Sequence, residues 1–176
     1  MDNGVLVATW DRKLFSGGWR GAGSTADVVS PSTGEKLASF GVAGTADDSE
    51  AVGIATEAQQ EWARVSGDDK ARILRQGGDA IEAHTDVLAG WLGREAGSAH
   101  GKAAFEAGLV SAEFYLAAGT ALMPYGQLLR SAKPRLSMAK RRPVGVVGVI
   151  SPFNFPGILS ARSIAPALAL GNAVIH

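Results

Sequence analysis

The sequence predicts an α/β protein whose last part is one strand–helix–strand crossover of a doubly wound parallel sheet. Three observations indicate this fold class. An uninterrupted apolar run, Val144 to Ile150, has the composition of a strand buried on both faces. Apolar residues at helical spacing follow it and end near Gly171, and a second apolar stretch occupies 173–175. A strand, a helix and a second strand in this order form the unit from which such sheets are built.

Short strands joined by tight turns are predicted over residues 14–40. Glycine pairs and the turn sequence Ser-Pro-Ser-Thr-Gly at 30–34 separate short apolar pieces there. The glycines at 17, 18, 21 and 23 do not have the spacing of a nucleotide-binding loop, and no helical pattern follows them. We therefore interpret them as turn residues.

Four helices are predicted between residues 46 and 118. The first, from 46 to 65, follows a capping-box sequence at 45–48. Acidic residues near 68 and 85 open the second and third helices, and Gly97 ends the third. The fourth should run from about 100 to 118 with one buried apolar face. That face would contain Phe105, Leu109, Ala112, Tyr115 and Leu116.

Beyond Pro124 the helical period ends, and residues 126–131 and 135–141 predict a hairpin. Its basic residues are interpreted as a solvated strand face. The chain has 17 basic and 17 acidic side chains, so its formal charge is zero. Nothing in this balance indicates a nucleic-acid or membrane-surface partner.

The residue types present exclude several kinds of site. The chain has no cysteine, so these residues form no disulfide, thiolate zinc site or catalytic thiol. Its three histidines have no metal-ligand spacing, and we expect no metal site. No signal sequence and no long apolar stretch is recognisable, so we expect a cytoplasmic protein.

Asn154 is the candidate for chemistry, because it lies in the turn after the best predicted strand. Ligands of open parallel sheets bind outside the carboxyl ends of the strands. A neutral amide offers two N–H donors at any ordinary pH, which suits it to holding an oxyanion. The alternative is a turn residue that bonds the local backbone, and the sequence leaves both interpretations open.

The segments 142–156 and 165–175 resemble the strand-and-turn motifs of the aldehyde dehydrogenase family. These segments are Arg-Pro-Val-Gly-Val-Val-Gly-Val-Ile-Ser-Pro-Phe-Asn-Phe-Pro and Ala-Pro-Ala-Leu-Ala-Leu-Gly-Asn-Ala-Val-Ile. Upstream, Glu95-Ala96-Gly97 stands where the family usually has Glu-Thr-Gly-Lys-Pro. The order of hairpin, helices and hairpin also fits, so the resemblance covers essentially the whole chain.

The resemblance implies the N-terminal portion of the aldehyde dehydrogenase fold, with a hairpin and helical lead-in and an incomplete Rossmann-like sheet. Residues 1–125 would be the hairpin and helices of the cofactor-binding domain. Residues 126–142 would be an oligomerisation hairpin, which implies a homo-oligomer in the complete protein. Residues 143–176 would be the first strand–helix–strand unit of the sheet.

The same resemblance implies oxidation of an aldehyde to a carboxylic acid with NAD or NADP. Asn154 would be the side-chain donor of the oxyanion hole. The residues against the cofactor would be Ile150, Ser151, Pro152 and Phe153. Those lining the substrate tunnel would be Phe155, Leu159 and Arg162. Phe153 and the segment 162–166 are most similar to members that act on aromatic aldehydes such as benzaldehyde, vanillin or salicylaldehyde.

The chain also departs from the family. It stops at His176, where the family continues into Lys-Pro, and it lacks the cysteine nucleophile and the glutamate base of the family's mechanism. We therefore expect the 176 residues alone not to oxidise aldehydes. The alternative is a non-catalytic truncated product that associates with family oligomers through the hairpin.

Overall fold

The computed structural model describes residues 9–176, and residues 1–8 of the predicted unit 1–125 lie outside the described residues. Two antiparallel strand pairs form over residues 13–42, as the turn pattern predicts. The pairs are β1 (Lys13–Phe15) with β2 (Trp19–Gly21) and β3 (Ser24–Val29) with β4 (Lys36–Val42).

All four predicted helices are confirmed. They are α1 (Thr45–Arg64), α2 (Gly67–Glu82), α3 (Thr85–Glu95) and α4 (His100–Thr120). Gly97 follows α3 with a φ of +65°, a left-handed conformation that favours glycine. The capping box predicted at 45–48 does not form as predicted, because the cap lies one residue earlier: the Asp47 carboxylate accepts the backbone N–H of Gly44 at 2.8 Å. Thr45 is the first helical residue there and not the cap.

The buried face of α4 is not the predicted one. Phe105 is 63% exposed, Tyr115 and Leu116 are also exposed, and Leu109 and Ala112 are half-buried. The buried face carries mainly small residues: Ala103, Glu106, Ala107, Val110, Ser111, Ala117 and Ala118. Small side chains let α4 pack closely against its neighbours, and the bulky residues of the same helix remain outside this contact.

The predicted hairpin after Pro124 is confirmed. It consists of β5 (Gly126–Leu129) and β6 (Ser137–Lys140), which pair antiparallel. Most of the hairpin is exposed, including its basic side chains at 133, 135 and 140. The predicted exposure of these basic residues is therefore confirmed, but only Lys140 lies on a strand, and residues 133 and 135 lie in the connection between β5 and β6.

The predicted crossover is confirmed as β7 (Val146–Gly148), α5 (Pro156–Ala169) and β8 (Ala173–Ile175), with the strands parallel. The prediction that 144–150 is one strand buried on both faces is wrong. Val144 is 85% exposed and Ile150 is 100% exposed. Among residues 9–176, β7 pairs with β8 alone, so its second edge has no partner strand and the paired segment is short.

Packing between α2, α4 and α5 forms the largest buried cluster. Its members are Ala71, Leu74, Ala117, Ala118, Ala121, Ala165 and Ala169. From α1, the indole N–H of Trp62 donates to the carbonyl oxygen of Leu168 at 2.8 Å, which ties α1 to the end of α5. Contacts with α1, α2 and α4 thus fix the position of α5, the helix that follows the β7 turn. Within residues 9–176, no helix combines the length and the apolar character needed to cross a membrane.

Candidate functional site

The connection from β7 to α5 lies at the carboxyl ends of the two parallel strands. The N–H of Val149 donates to the carbonyl oxygen of Ile175 at 2.8 Å, and past this bond the chain leaves the sheet. His176 comes directly after β8. Segment 150–155 and His176 therefore share the edge of the sheet at which parallel sheets bind ligands.

Asn154 is exposed in this connection. Within residues 9–176 its carboxamide forms no hydrogen bond, so the bonding to local backbone that the sequence left open is not observed. Both N–H donors of the amide are therefore available to a ligand.

The start of α5 is secured by a residue from another helix. Pro156 occupies the first turn, where its fixed φ suits a helix start and its missing N–H costs nothing. The next N–H, from Gly157, donates to Glu106 Oε1 at 2.8 Å, and the N–H of Ile158 lies 3.4 Å from the same oxygen. Glu106 is 0% exposed. A buried carboxylate of α4 thus satisfies backbone donors that have no partner within α5.

Lys102 balances the charge of this carboxylate. Its ammonium lies 2.7 Å from Glu106 Oε2 and 2.9 Å from the hydroxyl of Ser98. The same ammonium lies 4.2 Å from the ring centroid of Phe155, within the range of a cation–π interaction. A buried carboxylate without such a partner would carry a large desolvation cost.

The four candidate cofactor residues have different surroundings. Ile150 is 100% exposed, Phe153 is 89% exposed, and Pro152 is also exposed. Ser151 is half-buried, and its hydroxyl oxygen lies 2.9 Å from that of Ser160 on α5.

His176 completes a cluster with these two serines. Its Nε2 lies 3.0 Å from the Ser160 hydroxyl and 3.3 Å from the Ser151 hydroxyl. A cleft of about 390 Å³ adjoins the cluster, and Trp91, Phe153, Ser160 and His176 are among its lining residues. The contacts join the β7 turn to both α5 and the end of β8.

Phe155, Leu159 and Arg162 recur at helical spacing, so they lie along one side of α5. Phe155 and Leu159 are half-buried against the cluster of Val110, Ile158 and Ala161. Arg162 is exposed, and its Nε donates to Glu113 Oε1 of α4 at 3.1 Å. This side of α5 is therefore apolar next to Asn154, where Phe155 and Leu159 lie, and it carries the Arg162–Glu113 ion pair about two helical turns further along.

Sequence reasoning missed Glu106, Lys102 and the contacts of His176. A signal for Glu106 is visible afterwards, since it is the one charged residue on the small-residue face formed by Ala103, Ala107 and Val110. From the sequence alone, where the buried face of α4 is not known, Lys102 and Glu106 would be interpreted as an ordinary surface ion pair four residues apart.

Comparison with known proteins identifies the family. Residues 19–176 match the family model described as "Aldehyde dehydrogenase family". A vanillin dehydrogenase of Amycolatopsis sp. is 48% identical over 167 residues, and a benzaldehyde dehydrogenase [NAD(+)] of Pseudomonas putida is 45% identical over 168. Each of these two comparisons covers 94% of this chain and 34% of the relative. The chain therefore belongs to the aldehyde dehydrogenase family.

A solved structure supports the same assignment. The NAD-dependent benzaldehyde dehydrogenase from Corynebacterium glutamicum superposes with a TM-score of 0.87 at 34% identity, covering 95% of this chain and 37% of that chain. The fold is the N-terminal part of the aldehyde dehydrogenase fold, as the resemblance predicts. The chain spans about a third of the length of the relatives that it matches.

Proposed function

We propose that the protein containing these residues oxidises an aromatic aldehyde to the carboxylic acid with NAD or NADP. In this proposal Asn154 donates a hydrogen bond to the oxyanion that forms at the aldehyde carbonyl. The observation that carries it is the exposed, unbonded carboxamide of Asn154 at the carboxyl end of β7, among residues 9–176. The similarity to vanillin and benzaldehyde dehydrogenases supports the substrate class.

The chemistry gives Asn154 a defined task. Attack on the carbonyl carbon moves negative charge to the oxygen, and a preorganised neutral N–H stabilises this charge without itself changing protonation. When bound, the nicotinamide cofactor accepts the hydride. None of the 176 residues is a cysteine, so we propose that a thiolate nucleophile and the base that activates water are contributed by residues outside them.

Cofactor and substrate would approach Asn154 from different sides. Ile150, Pro152 and Phe153 offer exposed apolar surface, and the hydroxyl of Ser151 is held against α5. Along the other side, Phe155 and Leu159 offer apolar surface suited to an aromatic ring. Arg162, paired with Glu113, would meet polar substituents of that ring. We propose these two sets as the cofactor surface and the substrate tunnel.

The experiment is substitution of Asn154 by alanine in the full-length enzyme. Loss of one oxyanion donor should lower kcat about 100- to 1,000-fold and leave the Kd of the cofactor unchanged. Gln60→Ala, which removes an exposed carboxamide from α1, is the control and should leave both values unchanged. Weaker cofactor binding with an unchanged kcat would contradict the assignment of Asn154.

A second proposal concerns the hairpin over 126–142. Its apolar side chains Leu128, Leu136 and Met138 are exposed, which favours a contact with another copy of the protein. A truncated product could use the same contact to join family oligomers. Leu128→Lys should lower the oligomeric mass measured by light scattering, whereas Gln127→Lys, a neighbouring exposed position, serves as the charge control. An unchanged mass for Leu128→Lys would argue against this contact.

A further inference from the structure

We propose that Glu106 and Lys102 are positioning residues for Asn154, because they hold the backbone directly after it from a different helix. This inference rests on the proposed function. It concerns two residues of α4 that do not touch the reacting atoms and act through the turn between β7 and α5.

The first contact is made by Glu106 at the start of α5. The N-terminal residue that flanks this helix is Phe155, and it makes no side-chain capping bond. Glu106 Oε1 accepts the N–H of Gly157 at 2.8 Å instead, across 51 residues of sequence. A carboxylate of α4 therefore takes the place of a local side-chain cap at this helix start.

Gly157 makes this contact possible. A Cβ atom at this position would lie 3.2 Å from Val110 Cγ2 and 3.3 Å from Glu106 Oε1, closer than ordinary van der Waals contact. The absence of a side chain thus lets the carboxylate reach the backbone. Glycine at 157 and glutamate at 106 form a matched pair.

The second contact is made by Lys102. Its ammonium bonds Glu106 Oε2 at 2.7 Å and lies 4.2 Å from the ring centroid of Phe155, the residue that follows Asn154. The two side chains thus contact the chain at the first and third residues after Asn154. Lys102 also offsets the carboxylate charge, which would otherwise oppose the negative charge developing on a nearby oxyanion.

The test is a double-mutant cycle in the full-length enzyme with Glu106→Ala and Asn154→Ala. Glu106→Ala should lower kcat about tenfold to 100-fold and leave the cofactor Kd unchanged, because a donor moved by an ångström loses most of its effect. In the Asn154→Ala background it should lower kcat no further, because the donor that it positions is absent. Glu106→Gln keeps an oxygen acceptor for Gly157 and should retain kcat within about threefold.

Leu74→Ala is the matched control, since Leu74 is buried in the same helical body but does not touch the start of α5. It should lower Tm and leave kcat unchanged. The inference is overturned if Glu106→Ala lowers Tm alone, or if its loss in kcat multiplies with that of Asn154→Ala. Should Glu106→Ala fail to fold, Lys102→Met takes its place in the cycle, with an expected loss in kcat of about tenfold.

Failure of this inference is distinguishable from failure of the proposed function. If Asn154→Ala itself leaves kcat unchanged, the oxyanion role and the positioning role are both wrong. If Asn154→Ala lowers kcat strongly while Glu106→Ala and Lys102→Met do not, only the positioning role is wrong.

Discussion

The two ends of α5 are held in opposite ways. At its start the buried carboxylate of Glu106 accepts the N–H of Gly157, and Lys102 balances the charge. At its end neutral groups donate to backbone carbonyls, with Trp62 bonding Leu168 and Asn172 bonding the carbonyl of residue 167. An anion suits the positive end of the helix dipole, and N–H donors suit the carbonyl end.

Under our proposal, this difference separates the contact that positions Asn154 from contacts that act on stability alone. The ionic contact is made at Gly157, three residues after Asn154. The neutral contacts are made at residues 167 and 168, near the opposite end of α5. We expect substitutions at the start of α5 to change turnover and stability together. Substitutions at its end should change stability alone.

The largest expected loss of stability is at the end of α5, from Asn172→Ala. Asn172 is buried, and its Oδ1 accepts the N–H groups of Val144 at 2.7 Å and Gly145 at 3.1 Å. Removing the amide takes the acceptor from these two partly buried N–H groups and should lower the free energy of unfolding by about 3 kcal/mol. Urea denaturation measures this loss, and kcat of the folded enzyme should not change.

Gln127→Ala is the control for that experiment, because it removes an exposed amide from β5 and should change stability by no more than about 0.5 kcal/mol. If Asn172→Ala lowered kcat as much as Glu106→Ala does, the claim that the end of α5 affects stability alone would be wrong.

Gly157→Ala tests the start of α5 without removing a polar group. The added Cβ would press on Val110 and Glu106 at 3.2 and 3.3 Å, and after the gain in helix propensity the net loss of stability should be about 1.5 kcal/mol. We also expect kcat to fall, since the carboxylate is pushed away from the helix start. Gly108→Ala on α4 is the control, because its Cβ meets no atom within 4 Å and should stabilise the helix by up to about 1 kcal/mol. Equal behaviour of the two variants would refute the close approach at Gly157.

Trp62→Phe should have a smaller effect at the end of α5. It removes the indole N–H that donates to the carbonyl of Leu168 at 2.8 Å, an oxygen that also accepts the N–H of Gly171 at 3.0 Å, and it keeps an aromatic ring in place. The expected loss of unfolding free energy is about 1 kcal/mol, with kcat unchanged. Trp19→Phe, at an exposed tryptophan of β2, is the comparison and should be nearly neutral. A change in kcat for Trp62→Phe would show that contacts at the end of α5 also affect the position of Asn154, contrary to this prediction.

The smallest effect is expected at α1, which offers an exposed counterpart to the start of α5. There the pKa of Asp47 is lowered, first by the backbone N–H of Gly44 and then by the guanidinium of Arg20. A carboxyl whose folded pKa lies below its unfolded value of 3.8 adds stability above that pH and loses it as pH falls through the folded value. The Tm difference between wild type and Asp47→Asn should therefore be largest near neutral pH and shrink in acid.

Asp48→Asn, at an exposed position in the same turn, is the control for the acid series and should differ less from wild type. A difference in Tm that stays constant from neutral pH into acid would mean that Asp47 acts through something other than its charge.

Local patterns predicted most of the fold. Helix starts near Thr45 and Thr85, the end of α3 at Gly97 and the order of the crossover all depend on signals within a few residues. The same reasoning drew attention to Asn154, since a break after an apolar strand is visible in the sequence. It did not find Glu106, because the partner of this residue lies 51 positions away.

By itself the sequence determined the elements, their order and the turn that carries Asn154, because turn residues, caps and apolar periodicity act over a single turn of chain. Only the tertiary structure decided which face of α4 is buried, how much of 144–150 is covered, and that Glu106 meets the start of α5. Those outcomes depend on the spacing between helices and on which neighbours each strand edge has. Close packing selected the alanines of α4 over Phe105 and Leu116, and it thereby buried a carboxylate at the start of α5, three residues after the candidate oxyanion donor.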